Sequence, residues 1–154
     1  MSLSPGDPAP DFSLPTDGGE TITLSDLKGA AIIVYFYPKD DTPGCTKEAE
    51  SFRDLQQEFA AANTRIIGIS KDSVARHDKF KAKYDLNFTL ASDESGEVCE
   101  KFGVWVEKNM YGRKYMGIER STFLIDKTGT LQEAWRKVRV KGHVEKVLDT
   151  VKAS

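Results

Sequence analysis

Ala30-Ala31-Ile32-Ile33-Val34-Tyr35-Phe36-Tyr37 is the longest apolar run in the chain, and Pro38 ends it. β-branched and aromatic residues follow one another here without a polar interruption. That pattern predicts a strand buried on both faces, central in a parallel or mixed sheet. The run is strand-sized and far short of the ~18 residues needed to cross a bilayer. A polar loop follows, Lys39-Asp40-Asp41-Thr42-Pro43-Gly44. Glu48 to Ala62 then has helical composition, with Ala49, Phe52, Leu55, Phe59 and Ala62 on one face.

Working outward, Phe12-Ser13-Leu14 and Thr21-Ile22-Thr23-Leu24 flank the turn Asp17-Gly18-Gly19, which reads as an N-terminal hairpin. Ser25 caps a short turn that stops at Gly29. Arg65-Ile66-Ile67-Gly68-Ile69-Ser70 reads as a second buried strand. Asp72 or Ser73 caps a helix that turns Val74, Phe80 and Tyr84 inward. Phe88 to Leu90 is a short strand, and Ser95 starts a short helix carrying Val98, Cys99 and Phe102 as far as Gly103. Thr122 to Ile125 is a third apolar strand. Leu131 to Val140 reads as a longer, half-exposed strand, and Val144, Val147, Leu148 and Val151 as the inner face of a last helix. Strands alternating with helices predict an α/β sandwich with a central mixed β-sheet flanked by helices.

The 154 residues suit one domain, 1–154. The apolar share of 39% permits a sizeable core and excludes wholesale disorder. With 22 Lys+Arg against 24 Asp+Glu, the net charge of -2 gives no electrostatic reason to expect nucleic acid or an anionic membrane as partner. The start, Met1-Ser2-Leu3-Ser4-Pro5-Gly6, has no basic segment followed by an apolar one, so no signal peptide is expected. Two cysteines are too few for a disulfide-stapled secreted scaffold, and a cytoplasmic location is the expectation.

Those two cysteines differ in setting. Cys99 sits on a short amphipathic helix, where a thiol behaves as a small buried hydrophobe. Cys45 lies between a Pro-Gly loop and a helix, directly after the central strand. A thiol there faces unpaired backbone N–H groups and the positive end of a helix, both of which favour the thiolate. Ligands in open α/β sheets also bind at such strand ends. Thr42 takes the place of the first cysteine of a C-x-x-C motif. Its hydroxyl is placed to donate to the thiolate or to a bound oxygen, and it cannot form a disulfide. From local chemistry alone, a reactive Cys45 and a structural one both remain open. His77 and His143 lack the paired spacing of a zinc site, and no metal or phosphate-binding motif is present.

The longer string decides between them. Pro38, Thr42 and Cys45 form P-x-x-x-T-x-x-C, which resembles the peroxiredoxin active-site motif. Tyr35 to Glu48 as a whole is similar to the bacterioferritin comigratory protein (PrxQ) subfamily. The resemblance extends to Gly6-Asp7-Pro8-Ala9-Pro10-Asp11-Phe12, Gly68-Ile69-Ser70-Lys71-Asp72 and Arg120-Ser121-Thr122-Phe123-Leu124-Ile125-Asp126. It implies a thioredoxin-like fold and a peroxidase whose Cys45 attacks the peroxide O–O bond and becomes a sulfenic acid. It further implies that Thr42 and the amides of Gly44 and Cys45 hold the peroxide oxygens, and that Pro38 shields the sulfur. Arg120 would lie beside the sulfur, positioned by Glu48. Fixed donors stabilise charge moving from sulfur to the leaving oxygen better than mobile water does. No metal, haem or flavin cofactor is implied.

One departure matters. Many members of the subfamily carry a resolving cysteine five residues after the reactive one, where this chain has Glu50. The other resolving position falls near Lys79 to Lys83, and no cysteine stands there either. Three readings follow: a one-cysteine enzyme reduced by an external thiol, resolution by Cys99 after local unfolding, or cross-linking of two chains. The resemblance implies hydroperoxide as substrate, thioredoxin or a glutathione–glutaredoxin system as reductant, and a monomer. A thiol–disulfide oxidoreductase and a peroxide-sensing redox switch are the competing functions.

Overall fold

The computed structural model describes residues 3–154; Met1 and Ser2, which open the stretch read above for a leader, lie outside the described residues. The chain begins with a small antiparallel hairpin, β1 (Ser13–Pro15) and β2 (Thr21–Thr23), which register Leu14 against Ile22. The apolar run becomes β3 (Ala31–Phe36). A helix, α1 (Pro43–Ala61), returns the chain to β4 (Thr64–Ser70). Next come α2 (Val74–Tyr84), β5 (Thr89–Ser92) and α3 (Glu97–Lys101). A separate hairpin, β6 (Trp105–Met110) and β7 (Arg113–Ile118), precedes β8 (Ser121–Ile125), β9 (Leu131–Trp135) and α4 (His143–Lys152).

The central sheet has the order β5-β4-β3-β8-β9. β3 runs parallel to β4 and antiparallel to β8, so the sheet is mixed and the apolar run lies at its centre. Alternation along β3 feeds two cores. Ile32, Val34 and Phe36 join Phe102, Phe123 and Cys99 on one face. Ile33, Tyr35 and the following Tyr37 join Phe52, Phe80, Val147 and Cys45 on the other. The helices α1, α2 and α4 cover this second face, where the ring of Tyr35 stacks on Phe52 at 4.5 Å. That packing needs Gly68, the register partner of Tyr35, because a Cβ there would stand 2.9 Å from the ring. The fold is thus the expected thioredoxin-like α/β sandwich with its N-terminal hairpin.

Ser25 lies inside its short turn, Leu24–Leu27, and does not cap it, and three larger details differ from the sequence reading. α1 begins at Pro43 and not at Glu48, because proline suits the first helical position and the first turn needs no apolar residue. The last strand stops at Trp135, short of the expected Val140, where Lys137 turns to a φ of 50°. The hairpin β6–β7 was not anticipated.

Candidate active site

The chain leaves β3 into a loop that α2 holds in place. Asp40 is buried and accepts from the Tyr37 hydroxyl at 2.5 Å. Its second oxygen lies 2.6 Å from His77 Nδ1, while His77 Nε2 lies 3.0 Å from the carbonyl of Ala91. A carbonyl only accepts, so Nε2 carries a hydrogen. Burial opposes a charged ring at His77, but the Asp40 carboxylate outweighs it and raises the imidazole above its ordinary value. Asp41, at a φ of 60°, accepts from Lys83 at 2.8 Å and from the Tyr84 hydroxyl at 2.6 Å. Both aspartates of the loop are therefore tied to α2.

Thr42 is the N-cap of α1, and Cys45 is its third residue. The carbonyl of Thr42 accepts the first helical amide, that of Thr46, at 2.8 Å. The amides of Gly44 and Cys45 lie ahead of it, in the turn where no carbonyl of the helix stands behind them. Proline at position 43 has no N–H to leave unpaired. The Cys45 side chain points in toward the sheet and is 2% exposed.

Arg120 precedes β8, and the pairing of Ser121 with Phe36 sets it beside the end of β3. Its Nη2 donates to Cys45 Sγ at 3.3 Å and its Nη1 to Glu48 Oε1 at 2.7 Å. Glu48, one turn after Cys45, is fully buried, and its Oε2 has no partner among the described residues. Burial pushes this carboxyl up to about 7 against the pull of Arg120. Gly44 makes the approach possible, since a Cβ at this position would lie 3.3 Å from Arg120 Nη2. The ion pair and the sulfur contact thus fix one guanidinium over the first turn of α1.

The remaining expected residues sit further out. Pro38 is exposed where β3 gives way to the loop. The Thr42 hydroxyl was expected to donate to sulfur or substrate, but it donates to the carbonyl of Lys39 at 2.9 Å. Its lone pairs, not its hydrogen, are left for a ligand. Cys99 lies in the core on the opposite face of the central sheet from Cys45, with no exposure. Burial and the neighbouring Asp93 push its thiol well up. Glu50 is half-buried, with an oxygen 3.7 Å from Arg53. Sequence reasoning missed the Asp40–His77 pair, because its members stand 37 residues apart with nothing local to link them. His143 was also read as unremarkable, yet it is buried 2.8 Å from the Thr122 hydroxyl. Among the described residues, no helix is long and apolar enough to cross a membrane.

Comparison with known proteins gives a consistent result. The model of the AhpC/TSA family matches residues 5–134. A putative peroxiredoxin bcp of Coxiella burnetii is 57% identical over 96% of this chain and 98% of its own. Peroxiredoxin Bcp of Bacillus subtilis is 53% identical over 99% of this chain and 97% of its own. A mutant of Xylella fastidiosa PrxQ superposes with a TM-score of 0.94 at 42% identity, covering 99% of this chain and 98% of that one. The bacterioferritin comigratory protein of Xanthomonas campestris, solved in connection with alkyl peroxide reduction, gives a TM-score of 0.89 at 47% identity over 92% of this chain and 90% of that one.

Proposed function

The chain belongs to the AhpC/TSA family and is a peroxiredoxin, a thiol peroxidase, and from that premise we propose that it works with Cys45 as its single redox cysteine. The observation that carries the proposal is the guanidinium of Arg120 bridging Cys45 and Glu48 over the first turn of α1. The Cys45 thiolate attacks the nearer peroxide oxygen. The S–O bond forms, the O–O bond breaks, and an alkoxide or hydroxide leaves and takes a proton from solvent. Arg120 and the amides of Gly44 and Cys45 face the charge that moves onto oxygen. Thr42, its own hydrogen committed to the Lys39 carbonyl, accepts a hydrogen bond from the O–H of the bound hydroperoxide and so orients it. Pro38 borders the pocket, and Glu48 acts through Arg120 as a positioning residue.

The second half of the cycle supports an external donor. A donor thiolate attacks Cys45 Sγ, an S–S bond forms, and the sulfenic oxygen leaves as hydroxide to become water. A second donor thiol then displaces Cys45 and carries away the oxidised disulfide. Glu50 cannot take this role, and the central sheet separates Cys99 from Cys45. Thioredoxin is the donor we favour, with glutathione and glutaredoxin as the rival. Residues 1–154 act as one domain and as a monomer, and two unpaired cysteines fit a cytoplasmic setting.

Intact mass after one equivalent of hydrogen peroxide tests the reading. A gain of one oxygen per chain is expected. Loss of two hydrogens would mean a Cys45–Cys99 disulfide and would overturn the single-cysteine cycle.

A further inference from the structure

β6 and β7 pair only with each other, and a hydrogen bond of 2.7 Å from the Glu119 amide to the Val104 carbonyl closes their base. Arg120, the cation on Cys45, follows immediately. The exposed large apolar side chains among the described residues are Met110, Tyr111, Tyr115 and Met116, and all belong to this hairpin. Tyr111, at the turn, is as exposed as a side chain can be. None of the described residues covers them.

The register sorts these residues by face. Lys108 opposes Tyr115, and Met110 opposes Arg113. Cross-strand partners share a face, so these four stand together. The stem of Lys108 lies across Gly117, where a Cβ would come within 3.3 Å of it. β7 ends at Ile118, two residues before the Arg120 guanidinium that donates to Cys45 Sγ at 3.3 Å, so the base of the hairpin stands beside the active site. This face carries two cations and no carboxylate. The hairpin's one acid, Glu107, is on the other face, 3.7 Å from Lys114.

We propose that this face of the β6–β7 hairpin, built from Lys108, Met110, Arg113 and Tyr115, docks an acidic protein thiol, the donor that reduces oxidised Cys45. The proposal rests on the single-cysteine reading, under which every turnover needs an outside thiol at the sulfur. A hydroperoxide is small and needs no such surface. Tyrosine, methionine and arginine are the residue types that protein interfaces concentrate. The two cations select an acidic partner and speed its approach. A second copy of the chain fits poorly, because a two-fold contact on this face would set like charges against each other.

The test compares full-length wild type with Arg113→Glu/Tyr115→Ser, using a reduced acidic thioredoxin and dithiothreitol as donors. Oxidation of Cys45 by hydrogen peroxide and its reduction by dithiothreitol should be unchanged. The second-order rate with thioredoxin should fall about tenfold or more, as for loss of an interface hot spot, and should lose its dependence on salt. If the double variant is unstable to heat, Arg113→Glu alone, at an exposed position, serves the same comparison. Equal thioredoxin rates for variant and wild type would overturn the proposal. So would variant-sensitive binding to phosphatidylglycerol vesicles with the thioredoxin rate intact, which would assign the face to membranes. Failure of the single-cysteine reading itself shows separately, as the loss of two hydrogens in the intact mass.

Discussion

The two faces of the central sheet each bury one cysteine, Cys45 at 2% exposure and Cys99 at none. Burial therefore does not distinguish them. Their neighbours do. Cys45 has a guanidinium at 3.3 Å and the open amides of a helix start, whereas Cys99 stands beside the carboxylate of Asp93 inside a five-residue helix. One sulfur faces hydrogen-bond donors, and the other thiol is pushed up by burial and a neighbouring carboxylate. The strand that divides the two cores also keeps the two thiols on opposite faces of the sheet that builds the site.

The sharpest way to break this contrast is to exchange each thiol. Cys45→Ser should abolish peroxide consumption, while Cys99→Ser should keep most of the turnover with an external thiol. Near-complete loss of turnover in folded Cys99→Ser would show that the two faces communicate. Arg120→Ala comes next. Removing a donor aimed at developing charge costs about 10²–10³ in rate. Arg120→Lys should rescue little, because one ammonium cannot serve the sulfur and Glu48 as a planar fork does. Both are read from the rate of Cys45 oxidation by hydrogen peroxide.

Two glycines extend the comparison at smaller cost. Gly44→Ala places a Cβ 3.3 Å from Arg120 Nη2, and Gly68→Ala places one 2.9 Å from the ring of Tyr35. The first should lower the oxidation rate by roughly tenfold, about 1.4 kcal/mol, with little change in melting temperature. The second should lower the melting temperature, since overpacking a core costs typically 1–3 kcal/mol, while sparing the rate per folded molecule. If Gly44→Ala instead lost stability and kept its rate, the close approach of Arg120 would be a packing feature.

Much of this was legible because the informative residues are contiguous. The run from Ala30 to Tyr37 announces a strand buried on both sides, and Pro38, Thr42 and Cys45 follow it within one loop and one turn. Glu48 and Arg120 stand 72 residues apart, and only the family resemblance linked them before the structure set them at 2.7 Å. Asp40 and His77 had no such aid. The β6–β7 hairpin escaped because its strands are mostly exposed, so polar and apolar residues occur on both faces and no clean alternation arises. Its turn, Tyr111-Gly112, takes two positive φ angles of 53° and 79°, with only the glycine as a signal. Strands that bury little beyond Ile118 at their base leave little pattern to read.

The smallest effect expected concerns pH, and it sets two buried groups on the catalytic face against each other. Burial, Arg120 and Lys146 push His143 down to about 4 from an ordinary 6.5. Between those values the unfolded chain binds a proton that the folded chain refuses, so this group makes stability rise with pH. Glu48, pushed up to about 7 from 4.5, does the reverse: the folded chain keeps a proton that the unfolded chain has lost, and stability falls as pH rises. His77, held above its ordinary value, adds a loss only as pH rises beyond about 6.5. From pH 4.5 to 6.5 the wild type should therefore have a nearly flat melting profile, the two slopes offsetting. Glu48→Gln should leave a profile that rises with pH, and His143→Gln one that falls. Each kcal/mol released should appear as roughly 2–4 °C in a chain of this size. Only Glu48→Gln should also slow Cys45 oxidation, because Glu48 alone of the two holds Arg120 over the sulfur. Parallel profiles for both variants and wild type would mean that neither group changes its proton on folding, and that the carboxylate facing Arg120 is ionised throughout.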